Sequence, residues 1–247
     1  MPDMLSNSQP DLTSWAVSLA PTFPAAVPWD DSLRFVGLLH KLGASGVEEV
    51  ATILPEVVKR RQGDVPVIAA SCPKVRTMIH REFPHIKKYV RDSLPPTVLH
   101  AKSLRQRLGS RVLQILPCTC KVPLQKKQGG ADMAITFADF LSRVNTEQSP
   151  PSVLPDRMDS MPNIFRLCVL NPGITGLQNC RQFLRGFPET PVKQQSWELT
   201  GCRGGCLAGA GMPQGFTMEK RRQKIASYTS GLQQMQSIST SSHVEEA

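Results

Sequence analysis

Seven cysteines carry the most reactive chemistry in this chain of 247 residues, and three of them follow apolar runs. Cys72 ends VPVIAASC, Cys118 ends RVLQILPC, and Cys202 ends SWELTGC. Because the carboxyl ends of parallel strands meet at one edge of a sheet, these thiols are predicted to converge on one pocket. Cysteines of cytosolic proteins bind metals or react more often than they form disulfides, so we expect a metal site.

A fourth cysteine, Cys206, follows Cys202 inside the glycine-rich segment CRGGCLAGAG. Glycines allow the backbone to wrap closely around a bulky group, with its amide groups facing inward. Four thiolates suit an iron-sulfur cluster or zinc. Structural zinc usually uses two close cysteine pairs, whereas Cys72 and Cys118 stand apart, so the pattern favours a cluster.

The other cysteines are Cys120, Cys168 and Cys180, and we expect ordinary buried or half-buried thiols at these positions. Cys120 lies two residues from a predicted ligand, which leaves redox activity open for it. The five histidines show no spacing typical of a metal site.

The elements that must position these thiols alternate between helix and strand. Helical patterns cover residues 31–43, 52–62, 73–83, 97–108, 177–186 and 218–236, and strand-like runs cover 65–71, 111–117, 164–172 and 196–201. Residues 131–144 read as a strand entering a helix. This alternation predicts an α/β fold with mostly parallel sheets flanked by helices.

Around the cysteines the sequence resembles the iron-only (FeFe) hydrogenase large subunit. The segments ASCPKV, LPCTCK and ELTGCRGGCLAGAGMP are similar to its three cluster-binding motifs, TSCCPGW, MPCxxKxxE and ExMACxGGCxxGGGQP. VSLAPTFPAA, HAKSL and ADMAITFADF resemble other segments of that family. The resemblance covers residues 14–216 and implies two lobes, with a boundary within 117–163 and the cluster in the cleft between them. Residues 217–247 are expected to form a basic helix and a disordered tail.

The resemblance implies a four-iron four-sulfur cluster bound by Cys72, Cys118, Cys202 and Cys206. It also implies a two-iron subcluster with carbon monoxide and cyanide ligands, bridged by Cys206. Four further positions fall on residues near that unit: the backbone of Ala20 and Pro21 lines the ligand pocket, and Leu116 and Thr200 replace two packing methionines.

Three residues take the catalytic positions of the family: Lys121 falls on the lysine that contacts a cyanide, Glu56 on one proton-relay carboxylate, and Ser71 on the proton-relay cysteine. A thiol has a pKa of about 8.5, whereas an unactivated serine hydroxyl is a far weaker acid. Lys59, Leu99 and Leu124 also replace a carboxylate, a hydroxyl and a glutamate. Cluster binding is therefore the safer inference, and hydrogen turnover is expected to be slow.

We expect an iron-only hydrogenase-like protein whose slow, reversible hydrogen chemistry serves turnover or the sensing of hydrogen or redox state. The alternative is a non-catalytic iron-sulfur protein that resembles the Nar-type proteins of cluster assembly, which also lack the relay cysteine. Those proteins carry an additional N-terminal cluster site, whereas this sequence has no cysteine before Cys72.

The formal net charge of +9 makes an acidic partner plausible. We expect docking of an acidic electron carrier such as a ferredoxin, because the family's N-terminal ferredoxin-like repeats are absent here, and we expect hydrogenase maturation factors as further partners.

Aromatic residues make up 6% of the sequence and no recognition motif is present, so nucleic acid is not expected. Prolines interrupt the apolar N-terminal stretch, so neither a membrane span nor a secretory signal is expected, and we predict a cytoplasmic location. Basic groups suited to docking are Lys87, Lys88, Arg91, Lys102, Arg105, Arg107 and Arg111, and a second set is Lys220, Arg221, Arg222 and Lys224.

Overall fold

The computed structural model describes residues 10–53, 67–90, 94–147, 149–158, 173–188 and 196–242. Within these ranges the strands are β1 Trp15–Leu19, β2 Gly46–Glu49, β3 Val67–Ala69, β4 Arg111–Leu116, β5 Met133–Thr136, β6 Ile174–Thr175 and β7 Ser196–Thr200. The α-helices are α1 Leu33–Lys41, α2 Pro73–Glu82, α3 Pro96–Leu108, α4 Val122–Lys127, α5 Phe137–Leu141, α6 Leu177–Arg185 and α7 Met218–Ser242. The predicted α/β class is confirmed.

The first sheet contains four parallel strands in the order β2-β1-β4-β5. Its central strand β1 pairs on both sides, with Val17 opposite Val47 of β2 and Leu113 of β4. A core rich in phenylalanine packs beside it, and the rings of Phe35 and Phe140 lie 5.8 Å apart in an edge-on arrangement.

The second sheet contains three parallel strands in the order β3-β7-β6. It has its own core, in which Ile68 and Leu199 pack with Ile79 of α2 and Leu184 of α6. Since β3 lies between β2 and β4 in the sequence, the chain leaves the first sheet, adds a strand to the second and returns. The connection from β2 to β4 of the first sheet therefore passes through a strand of the second sheet.

The helix ends follow local sequence signals. The Asp31 carboxylate accepts a hydrogen bond from the Leu33 backbone N–H at 3.0 Å and so satisfies an unpaired amide at the start of α1. Pro73 and Pro96 are the first residues of α2 and α3, where the missing N–H costs nothing. Gly109 ends α3 with a φ of 63°, a conformation that glycine adopts without strain.

A buried polar network joins α3 to the first sheet. Arg107 donates to Glu48 at 2.9 Å, and Ser18 Oγ lies 2.8 Å from His100 Nδ1. His100 Nε2 lies 3.7 Å from Glu48 Oε2. Gln114 Nε2 donates to Ser18 Oγ at 3.0 Å. Because Ser18 and His100 are fully buried, this serine-histidine-glutamate group is structural and does not face a substrate.

The C-terminal helix α7 packs against the first sheet, because Ile225, Tyr228 and Leu232 belong to the hydrophobic core beside that sheet. The ring of Tyr228 meets that of Phe23 edge-on at 5.1 Å, and its hydroxyl donates to Glu49. The helix continues past Gln236, where the polar pattern predicts its end, to Ser242. None of the helices in the described ranges is long and apolar enough to cross a membrane.

Some sequence predictions fall outside the described residues. These are the strand predicted over 164–172, residues 54–62 of the helix predicted over 52–62, and residues 243–247 of the disordered tail predicted over 237–247. Residues 52 and 53 belong instead to the 3₁₀ turn Val50–Ile53, and residues 237–242 are helical rather than disordered. The division into 14–216 and 217–247, with a lobe boundary within 117–163, stays a prediction.

Candidate metal centre

The four predicted ligand cysteines border one pocket at the carboxyl ends of strands from both sheets. Cys118 follows β4 of the first sheet, whereas Cys72 and Cys202 follow β3 and β7 of the second. Cys206 lies in a short 3₁₀ turn, Gly205–Ala208. The described residues that line the pocket are Ser71, Cys72, Cys118, Lys121, Thr200, Gly201, Cys202, Gly205, Cys206 and Gly209.

The glycine loop after β7 is held tightly against the end of β4. Gly205 has a φ of 68°, which explains a glycine at this turn. A Cβ on Gly209 would lie 2.1 Å from the carbonyl oxygen of Pro117, so only glycine allows this approach. The Gly211 N–H donates to the same carbonyl at 3.0 Å. These contacts bring Cys206 to the side of the pocket that Cys118 occupies.

Backbone and side-chain donors point at the cysteine sulfurs. The Gly201 N–H donates to Cys72 Sγ at 3.4 Å, and Lys121 Nζ lies 4.0 Å from Cys206 Sγ. Lys121 is only 9% exposed. The negative charge of the Cys206 thiolate is the main reason that the pKa of Lys121 is raised above its ordinary value, and this outweighs burial. The lysine therefore carries a positive charge inside the pocket.

Two of the four thiols, Cys118 and Cys202, are harder to ionise than an ordinary cysteine. Burial raises the pKa of Cys118 and of Cys202, and the charges of Cys72 and Cys206 raise the pKa of Cys202 further. Binding of a cation would compensate this mutual repulsion, because coordinated thiolates share their charge with the metal.

The donor set fits an iron-sulfur cluster. Within the described residues, no three His, Cys, Asp or Glu side chains converge as closely as a single metal ion requires. The four thiols instead border one space, three of them from the ends of β3, β4 and β7 and the fourth, Cys206, from the loop after β7, and four cysteines around one space can hold a cluster of several atoms. The buried hydroxyl of Thr200 in the same wall has no hydrogen-bond partner within the described part of the chain. A polar atom left in this position is typical of a site that receives a bound group.

Ser71 lies directly before Cys72 and donates a hydrogen bond from Oγ to Glu198 Oε1 at 2.7 Å. Sequence reasoning gives no role to this glutamate, which begins the segment ELTGC. Glu198 lies in β7, four residues before Cys202. Because side chains alternate between the two faces of a strand, this even spacing is the feature of the sequence that could have placed Glu198 near the pocket.

Of the other predicted site residues, some lie at the strand end beside the pocket, one lies in the core away from it, and one is outside the described residues. Ala20 follows β1 and donates from its N–H to Ile115 of β4 at 3.2 Å, at the strand end that also carries Cys118. Pro21 is half-buried beside it. Leu116 is fully buried in the first core and does not line the pocket. Glu56 lies outside the described residues, as does Cys168.

The two other described cysteines differ in exposure. Cys180 is fully buried in the second core, and its Sγ lies 3.5 Å from the carbonyl oxygens of Ile174 and Thr200. Cys120 is half-exposed and does not line the pocket.

Comparison with known proteins identifies one family whose sequence pattern this chain matches. Residues 13–165 match the family described as the iron-only hydrogenase large subunit, C-terminal domain. No curated protein sequence matches the chain.

Solved structures share the fold at low identity. One is an [FeFe]-hydrogenase described for oxygen inactivation through modification and degradation of the H cluster 2Fe subcluster, with 15% identity, a TM-score of 0.60, and coverage of 90% of this chain and 87% of that chain. A second is apo [FeFe]-hydrogenase HydA1 from Chlamydomonas reinhardtii in a cysteine-to-histidine variant, with 15% identity, a TM-score of 0.59, and coverage of 90% and 86%. A third, HydA(deltaEFG), concerns stepwise H-cluster assembly, with 14% identity, a TM-score of 0.55, and coverage of 86% and 84%.

Proposed function

This chain belongs to the family of the C-terminal domain of the iron-only hydrogenase large subunit, and from that premise we propose that it binds a four-iron four-sulfur cluster through Cys72, Cys118, Cys202 and Cys206. Its hydrogen chemistry is slow and serves hydrogen or redox sensing. The observation that carries this proposal is the pocket in which all four thiols and the buried Lys121 meet.

The protein's own residues have distinct tasks in this proposal. When bound, the cluster supplies one-electron storage, and a two-iron unit beside it supplies the centre where protons and electrons combine. Lys121 places a positive charge 4.0 Å from Cys206 Sγ, where an ammonium group stabilises a bound anion such as cyanide. The glycine loop excludes side chains from the space between Cys206 and Pro117.

Slow turnover follows from the proton path. Ser71 Oγ donates to Glu198, so any proton that passes between the pocket and this carboxylate passes through a serine hydroxyl. A group with so high a pKa exchanges protons slowly near neutrality. A sensor tolerates this rate, because it needs a change of state rather than a flux.

A cluster-assembly protein without hydrogen chemistry is the second candidate, and Ser71 is the observation that favours it. The two candidates differ in the two-iron subcluster with its carbon monoxide and cyanide ligands. Infrared spectra of protein matured anaerobically with hydrogenase assembly factors, with iron and sulfide counted on the same sample, separate them. Carbon monoxide and cyanide bands that shift under hydrogen support the sensor or hydrogenase. Four irons without such bands support the second candidate.

Single Cys→Ser substitutions at positions 72, 118, 202 and 206 are expected to remove most of the bound iron, because each deletes one thiolate ligand. Cys120→Ser and Cys180→Ser are the matched controls, and both should keep the full iron content. Iron analysis and visible absorption after anaerobic reconstitution measure the effect. Full iron in all four ligand variants would contradict the proposed site.

A further inference from the structure

A second cavity of about 320 Å³ lies beside the cysteine pocket, and the function proposed above does not use it. Its walls come from α2, from Pro95 just before α3, and from Leu124 and Gln128 in and after α4. Ser71 lines both this cavity and the cysteine pocket. Its volume lies at the lower end of the range for small-molecule sites, which is about 300–1,000 Å³.

Two arginines of α2, Arg76 and Arg81, line the rim of the cavity. His80 lines it as well and lies four residues after Arg76, which places these two on the same face of the helix. None of the described lining residues is an aspartate or glutamate. Gln128 adds an amide group from the opposite wall. Two guanidinium groups at one cavity favour a ligand with a carboxylate or phosphate group.

The floor of the cavity is apolar. Ala70 and Pro95 are buried there, and Pro73 and Leu124 are half-buried around them. An inorganic anion at the rim would leave this floor unfilled, whereas an organic anion would cover it with its apolar body. The two surfaces together therefore select a molecule with an anionic head and a compact apolar part.

Ser71 connects this cavity to the metal centre. Its Oγ donates to Glu198 of β7, and the next residue in the chain is the proposed ligand Cys72. A molecule seated in the cavity would contact Ser71 and the α2 residue Pro73, which flank that ligand on both sides.

We infer that this cavity binds a small organic anion and that its occupancy is transmitted through Ser71 to the metal centre. The binding part is independent of the cluster, whereas the transmission part rests on the proposed function.

Binding is tested on cluster-free protein by calorimetry with four probes: phenyl phosphate, benzoate, phenol and inorganic phosphate. Phenyl phosphate or benzoate should bind at least about tenfold more tightly than phenol and inorganic phosphate, because only phenyl phosphate and benzoate combine an anionic group with an apolar ring. The double substitution Arg76→Gln with Arg81→Gln should weaken that binding at least about tenfold. Arg222→Gln, on the exposed surface of α7, should not change it, and thermal melting verifies that each variant folds.

Several results would overturn the binding inference. These are no binding by any probe, equal binding by phenol, or equal affinities in the double variant and in Arg222→Gln. Docking of an acidic ferredoxin that is weakened by the double substitution, without binding of any small probe, would assign the cavity to a protein partner instead and refute the inference.

Transmission is tested on reconstituted protein. The bound probe should shift the electron paramagnetic resonance signal of the reduced cluster, and Ser71→Ala should abolish the shift while the probe still binds. An unchanged signal with the probe bound would refute transmission and leave the binding result in place. Absence of iron after reconstitution would contradict the proposed function, and the calorimetric result would still decide whether the cavity binds anions.

Discussion

Ser71 is the side chain at which the proposed hydrogen turnover can be tested most directly, because it stands between the pocket and Glu198. Ser71→Cys places a thiol with a pKa of about 8.5 at this position, where a thiol can exchange protons near neutral pH. In fully matured protein we expect hydrogen production from a reduced dye to rise by about 10²-fold. Ser142→Cys, which adds an exposed thiol on the first lobe, should leave the rate unchanged. Equal rates for Ser71→Cys and the unmodified protein would show that another step limits turnover.

Glu48 is expected to control acid stability. Burial would raise the pKa of Glu48, but the nearby imidazole of His100, the hydrogen bonds from Arg107 and the charge of Arg107 outweigh it and hold the pKa at about 2. The folded pKa is below the unfolded value of 4.5, so the stabilisation is complete above pH 4.5 and is lost as the pH falls toward 2. The loss over that interval should be about 3 kcal/mol in the free energy of unfolding.

Urea denaturation of cluster-free protein between pH 6 and pH 2 measures this dependence, and Glu48→Gln should flatten it over the lower part of the range. The matched control is Glu82→Gln. Glu82 forms an exposed ion pair with Arg181, and such pairs contribute little to stability. A profile for Glu48→Gln that falls as steeply as that of the unmodified protein would refute the assignment. Burial also lowers the pKa of His100, which adds a separate loss of stability in both proteins as the pH falls below about 6.5.

At this scale the sequence predicts groups that belong to motifs and misses groups that pair over long distances. The convergence of the four cysteines on one pocket follows from strand ends and motif spacing, and the place of Lys121 there was implied by the family resemblance. The contact of Ser18 with His100 spans 82 positions, and that of Ser71 with Glu198 spans 127. Neither leaves a periodic signal, since the partners meet only after both sheets have formed.

At the scale of elements, most strands and helices with apolar patterns were predictable, whereas β1 was indicated only by the family resemblance, and β2, β6 and α4 were not predicted. β2 has the sequence GVEE, and its two glutamates are buried against Arg107 and Tyr228. Buried acidic residues give no apolar signature, so the strand is recognisable only when their partners are known. β6 has two residues, which is too short for any alternation.

The loop after β7 offers an element-scale test. Gly209→Ala places a Cβ 2.1 Å from the Pro117 carbonyl oxygen and should lower the free energy of unfolding by about 1–3 kcal/mol. The matched control is Gly231→Ala, where a Cβ meets nothing within 4 Å inside α7, and stability should rise by about 0.5–1 kcal/mol. Chemical denaturation of cluster-free protein measures both changes. Equal stability of Gly209→Ala and the unmodified protein would mean that the loop can move away from β4 at no cost.

At the scale of the whole molecule, several of the basic side chains predicted to dock a partner interact with other groups of the same chain. Arg105 pairs with Asp132 at 2.8 Å, and the Arg111 guanidinium lies 4.3 Å from the centroid of the Trp15 ring. Arg221 and Lys224 of α7 donate to the backbone carbonyls of Leu207 and Trp29. The predicted basic docking groups therefore include several that already have a partner within the chain.

An acidic electron carrier is instead expected to approach near Cys202, which is half-buried and flanked by the exposed cations Lys74 and Arg203. The double substitution Lys74→Gln with Arg203→Gln should slow reduction of the cluster by a reduced ferredoxin about tenfold at low ionic strength, because charge steering raises encounter rates. Added salt should reduce the difference. Lys41→Gln, at the exposed end of α1, should leave the rate unchanged in stopped-flow measurements, and an equal loss in the double variant and in Lys41→Gln would argue against docking at this face.

The crossing of the chain between its two sheets also has a consequence for biosynthesis. All four strands of the first sheet have been synthesised once Thr136 is made, whereas β6 and β7 and two of the four thiols follow later in the chain. N-terminal units generally fold first during synthesis, so the nascent chain carries a finished sheet beside an unpaired β3 and half a ligand set. The proposed cluster, which needs all four thiols, could therefore be completed only after Cys206 has been synthesised, and in a polypeptide stalled before Cys202 the thiols of Cys72 and Cys118 would lack the metal that protects them from oxidation.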